Sequence, residues 1–138
     1  MKRLLKDIIL FLIFGTIYYA CECIWKGGLS HWTMFVLGGL VGVLIGGINE
    51  KIEWDVPFFK QCTIGMGVAI LSEAFAGIIL NIILKLHIWH YTRLSFFWHQ
   101  CSLPFCIIWF ILASACIVLD DVLRWKLFGE EKPHYRLR

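Results

Sequence analysis

Charged side chains are scarce in this sequence, at 17% of its 138 residues, against roughly 25% in an ordinary soluble domain. With 59% hydrophobic residues beside them, this excludes a disordered chain. Catalytic signatures are missing as well. No Gly-x-x-x-x-Gly-Lys-Ser/Thr phosphate loop occurs, which excludes ATP hydrolysis by that route. There is no Gly-x-Ser-x-Gly elbow and no His-Glu-x-x-His zinc motif. Ser30, Ser72, Ser95, Ser102 and Ser114 have no evident catalytic company. The expectation is a non-enzymatic chain without a cofactor. Basic residues are scattered rather than gathered, which argues against nucleic acid as a partner. No internal repeat and no appended soluble domain can be read.

What is abundant is apolar surface. Aromatics reach 16%, with seven Trp and eleven Phe, and the mean hydropathy is +0.74. A soluble domain this small leaves about a third of its unfolded area exposed and could not bury so much. The matching solvent is a lipid bilayer. Four apolar runs follow one another: Leu4 to Trp25, Thr33 to Ile48, Cys62 to Leu84 and Cys101 to Leu119. A helix needs about 20 apolar residues to cross ~30 Å of hydrocarbon. The second run reaches that length only with Trp32, Asn49 and Glu50 at the interfaces. The expected fold is therefore all-α: one polytopic transmembrane bundle over residues 1–138, with helices near 4–25, 32–50, 62–86 and 101–123 and a short charged tail, 124–138.

The first run reads as a retained helix, because Tyr18, Tyr19 and Glu22 stand where a cleavage site would fall. Four crossings put both termini on one side. That side carries Lys2, Arg3, Lys6, Lys51, Lys60, Arg124, Lys126, Lys132, Arg136 and Arg138, against Lys26, Lys85 and Arg93 on the other. The positive-inside rule then expects cytoplasmic termini in a cell membrane. Six tryptophans lie near predicted helix ends, and Trp109 alone lies inside a run.

Gly38, Gly42 and Gly46 recur every fourth residue, widened by Gly39 and Gly47. Such a stripe lets backbones approach closely. It predicts a tight seam within or between protomers, or else a groove left open for a substrate. Glu73 lies near the centre of the third run, where an acidic group costs about 2.5–3.5 kcal/mol on insertion scales. It is expected to face the bundle interior or a water-filled cavity. Gly77 and Asn81 follow at about one-turn intervals on its side. Glu73 is either a structural hydrogen-bonding carboxyl or a contact for a proton, cation or substrate.

Glu22, near the outer end of the first run, either reaches the interface or lines a vestibule with His31 and Gln100. Asn49 and Glu50 close the second helix, where the macrodipole does not favour an anion, so Glu50 needs a partner or water. The outer histidines His31, His87, His90 and His99 lack metal-site spacing and read as interfacial. Asp120 and Asp121 read as solvated interfacial charges. Of the six cysteines, only Cys21, Cys23 and Cys101 are placed so that one bridge is conceivable.

A family resemblance emerges from Tyr18-Tyr19 with Glu22, Gly28 to Met34 (Gly-Leu-Ser-His-Trp-Thr-Met), Gly38-Gly39 and Ile48-Asn49-Glu50. It continues through Glu73, Gly77 and Asn81, Trp89 and Tyr91, Gln100 and Cys101, Leu119-Asp120-Asp121 and Leu127-Phe128-Gly129-Glu130. In these residues, nearly the whole chain in order, the sequence resembles the short bacterial membrane proteins grouped as type IV ABC-transporter permeases. It departs in having Trp89-His90-Tyr91-Thr92 where that family commonly reads Trp-Asp-Tyr-Ser. It also has His99-Gln100-Cys101-Ser102 where Gly-Gln-Ile-Cys is usual. The resemblance implies a transport role. Four helices are few for a pathway in one protomer, so it also implies a homo-oligomer or assembly with other membrane or ATPase subunits. The alternatives are a structural or regulatory membrane subunit and an intramembrane enzyme using Glu73 or Glu22 with an outer His.

Overall fold

The computed structural model describes residues 2–137 and is mostly helical. Helix α1 spans Arg3–Lys26 and stops at Gly27, whose left-handed φ of 70° ends the turn. Helix α2 spans Thr33–Gly46, and a separate single turn, α3, spans Ile48–Lys51. Helix α4 spans Phe58–Gly77 and runs on as a π-helical segment, Ile78–Ile83. After a loop, strand β1 (Ser95–Phe96) pairs antiparallel with β2 (Cys101–Ser102). Helix α5 then spans Leu103–Phe128. Ser102 caps its start, with the side chain accepting from the Phe105 N–H, and Gly129 at φ 67° closes it.

The all-α class agrees with the sequence. Helices α1, α4 with its extension, and α5 have 24, 26 and 26 residues and are long and apolar enough to cross a membrane. Helix α2 differs from the expected 32–50 segment. It ends at Gly46 after 14 residues, and Gly47, at φ −79° and ψ 8°, interrupts the helix by one residue before α3. Helix α4 starts four residues before the expected Cys62, directly after Pro57, a residue suited to precede a helix. Residues 101 and 102 belong to the hairpin rather than to the last helix, which in turn continues to Phe128.

Packing is uneven around the bundle. Helix α1 lies along α2, and α4 lies along α5, with α2 also touching α4 and α5. The core holds Val41, Ile45, Ile48, Cys62, Ala69, Trp109, Ala113 and Ile117. The glycine stripe sits within the protomer. Gly38 faces Tyr18 and Gly42 faces Phe14, both on α1, while Gly46 faces Asp120 on α5. Among the described residues no comparable packing joins α1 to α5, and a groove of about 300 Å³ runs between them, floored by α2.

The two ends of the bundle differ. At one end the amino-terminal turn, α3 and the tail meet: Lys6 pairs with Glu130, and the Phe58 N–H donates to the Arg136 carbonyl at 2.7 Å. At the other, the loop between the π-helical segment and α5 closes over the helices, and Lys26 donates to the Ile88 carbonyl at 3.1 Å.

An added methyl at Gly42 overlaps the Phe14 ring, whereas one at Gly67 meets nothing within 4 Å. Gly42→Ala is expected to lower stability by about 1–3 kcal/mol through overpacking. Gly67→Ala is expected to be neutral or to gain up to about 1 kcal/mol of helix propensity. Thermal unfolding of the two variants in one detergent checks the difference.

Candidate functional site

Glu73 is placed on the inward face of α4, and only 6% of it is exposed. Both carboxylate oxygens accept hydrogen bonds. Tyr91 Oη donates to Oε1 at 2.6 Å, and Trp109 Nε1 donates to Oε2 at 2.7 Å. The Trp109 ring stacks on Tyr18 with centroids 6.1 Å apart. The acid is thus held by α5 and by the loop, with α1 beside it. No Lys, Arg or His lies within ion-pair distance of Glu73 among the described residues. Beside it opens a cavity of about 330 Å³ whose wall includes Glu22, Lys26, Glu73, Trp89, His90 and Tyr91.

Tyr91 comes from a loop without regular structure, and the sequence shows how it is held. Asn81, buried in the π-helical segment, donates through Nδ2 to Gln100 Oε1 at 2.7 Å. Its Oδ1 accepts the Ile88 N–H at 2.7 Å and the Trp89 N–H at 3.4 Å. Trp89 Nε1 donates to the Gln100 carbonyl at 3.1 Å, and Gln100 Nε2 donates to the Trp98 carbonyl at 3.0 Å. Gly77 makes this possible, because a Cβ there would stand 2.6 Å from Gln100 Oε1. The loop needs such clamps. Lys85, His87, Leu94, Phe97, Trp98 and His99 all have positive φ, a costly backbone region for residues other than glycine. Burial, and then the Glu73 carboxylate, push the Tyr91 phenol well above its usual range, so it stays a donor to the acid.

The expected site residues therefore separate. Glu22 and Glu73 share one cavity, with Glu22 Oε2 at 3.8 Å from Lys26 Nζ. Asn81 and Gln100 lie behind it and position the loop instead of lining it. The vestibule expected from Glu22, His31 and Gln100 is not assembled. His31 turns to the start of α2, where Nδ1 is 2.7 Å from Thr33 Oγ1 and accepts the Thr33 N–H at 3.3 Å. Of the outer histidines His90 lines the cavity, and the His99 ring lies tilted beside it with centroids 4.7 Å apart. Among the described residues no group of three His, Cys, Asp or Glu side chains is arranged to hold a metal ion. All six cysteines are free.

Asp120 and Asp121 correct the sequence reading most sharply. They are 0% and 3% exposed, not solvated. Arg124, itself buried, donates through Nε to Asp120 Oδ2 at 2.7 Å and lies 3.5 Å from Asp7. Asp121 Oδ2 accepts from Asn49 Nδ2 at 2.5 Å and from Tyr135 Oη at 2.6 Å. Burial and the Asp121 bond raise the Tyr135 phenol above its usual range. Gly46 leaves the room that Asp120 occupies. Asn49 thus belongs to an ion network at the terminal end, while Glu50 is exposed on the rim of the neighbouring cavities. None of these residues approaches Glu73 in hydrogen bonding.

Tyr91, Trp109 and Tyr18 are the site residues that sequence reasoning passed over. Trp109 carried a signal, as the single indole away from a predicted helix end: an N–H inside hydrocarbon needs an acceptor. Comparison with protein-family models, curated proteins and solved structures finds no match.

Two expected outcomes follow from these bonds. Asn81→Ala should speed amide exchange at Ile88 and Trp89 by roughly fivefold or more, since one net hydrogen bond is worth about 1 kcal/mol; exchange mass spectrometry reads this. Arg124→Met, which strands Asp120, should cost about 3–5 kcal/mol, and adding Asp120→Asn should recover much of it. Denaturant titration of the single and double variants provides the check.

Proposed function

We propose that this chain is a small permease component whose Glu73 cavity contacts a cation, a proton or a small solute. The observation that carries the reading is a buried carboxylate, without an ion-pair partner among the described residues, on the wall of a cavity of about 330 Å³. An acid in a membrane segment is costly and is commonly found on ion or substrate pathways. The resemblance to type IV ABC-transporter permeases supports the same class of function. On this reading the chain sits in the cell membrane with both termini in the cytoplasm, because the end bearing the termini carries most of the Lys and Arg. A pathway through so few helices calls for a second copy or other membrane subunits; an ATPase subunit would drive uphill transport, whereas downhill movement under an imposed potential needs none.

A structural or regulatory subunit is the competing reading. It is favoured by the two hydrogen bonds that already occupy both oxygens of Glu73. Flux separates the two. Liposomes holding the purified protein and a pH indicator are placed under a potassium diffusion potential and tested for proton and sodium entry. The permease reading expects entry through the wild-type protein and at least about tenfold less through Glu73→Gln, equivalent to ~1.4 kcal/mol, with the melting temperature nearly kept. Equal flux in both proteins would overturn it in favour of the scaffold.

A further inference from the structure

We propose that the Glu73 site takes an amphiphilic organic cation, a positive head on an apolar body, which enters sideways from the lipid between α1 and α5. The inference deepens the cation-contacting reading of the same site and rests on it. Its ground is the continuity of two spaces. The polar cavity at the loop end and the apolar groove between α1 and α5 share Tyr18, Glu22, Trp25, Glu73, Tyr91 and Phe105 as walls. From there the groove descends past Ile108, Leu112 and Ala115 to Leu119. A ligand filling both has its polar head at the acids and its apolar part along α5.

Charge selects the head. The shared walls carry two carboxylates, Glu22 and Glu73. The one lysine on the cavity, Lys26, is already engaged by Glu22 and by the Ile88 carbonyl. That leaves Glu73 as the acid on the shared walls with no cationic partner among the described residues. Tyr18, Trp25 and Tyr91 also line the shared space, and an aromatic ring beside a desolvated cation attracts it by about 2 kcal/mol or more in favourable cases. A phospholipid fits poorly, because its phosphate would be set against the two acids. An inorganic ion leaves the apolar groove unused. The groove walls are also consistent with a lipid-side entrance, since Ile17, Trp25, Ile108 and Leu112 are exposed on the bundle surface.

The test uses two probes of the same shape and opposite charge, tetraphenylphosphonium and tetraphenylborate, with the full-length protein in phosphatidylcholine nanodiscs. Quenching of tryptophan emission and equilibrium dialysis report binding. Tetraphenylphosphonium should bind saturably and tetraphenylborate should not. Glu73→Gln should weaken the cation at least about tenfold, equivalent to ~1.4 kcal/mol. Ala115→Trp, which fills the groove from its exposed wall, should weaken it similarly while the protein keeps its melting temperature. Equal binding of both probes, or binding indifferent to both substitutions in folded protein, would overturn the proposal. So would loss of the cation on adding phosphatidylethanolamine, which would make a lipid headgroup the occupant. Flux that depends on Glu73 without phosphonium binding would overturn the amphiphile and leave the permease reading standing. Phosphonium binding without any flux would do the reverse.

Discussion

A carboxyl group set among apolar helices is costly unless donors satisfy its oxygens. Glu73 obtains one from α5, through Trp109, and one from the loop before β1, through Tyr91. The second is the demanding one. The loop must fold back over the bundle with three non-glycine residues at positive φ, and three more follow in the hairpin turn; Asn81 holds the loop there by capping two of its amides. Asn81 points the right way because the helix widens to π geometry after Gly77, a distortion common near functional sites. Helix geometry, loop path and acid solvation are thus one connected arrangement.

The opposite end solves a similar problem by different means. There, Asp120 and Asp121 are buried, and Arg124 bridges from α5 to Asp7 on α1. Each acid finds a positive or neutral donor, although Asp120 Oδ1 keeps no partner. A buried ion network of this kind contributes little net stability over an apolar core, but it penalises any arrangement that separates its members. It fixes how α1, α3, α5 and the tail come together. Both ends border open volume. The two clusters of polar residues differ in their partners: Asp120 at this end is tied to Arg124, whereas Glu73 is held by neutral donors alone.

Much of this was legible beforehand. Helices α1 and α5 follow from the length of the first and fourth apolar runs, although the structure carries α5 on to Phe128. Glu73 as an inward acid follows from the cost of exposing it to lipid. The break at Gly47 was not legible, because Gly46-Gly47-Ile48 reads as equally apolar whether the helix continues or is interrupted. Nor was the burial of Asp120 and Asp121, since their position at a helix end suggests water and only tertiary packing against Gly46 removes it. Tyr91 lies in a segment without periodicity, so nothing in its neighbours points to Glu73, eighteen residues earlier.

The brevity of α2 has its own consequence. Fourteen residues rise about 21 Å at about 1.5 Å each, while its companions have 24 to 26 and a typical hydrocarbon slab is ~30 Å thick. Leu40 and Leu44 are exposed on its outer side, so acyl chains abutting that side meet a shorter wall than elsewhere around the molecule. Hydrophobic mismatch of this kind costs fractions of a kcal/mol per Å. In a bilayer, the cheapest response to such a flank would be a local dimple along it, and a slender membrane would need less of one.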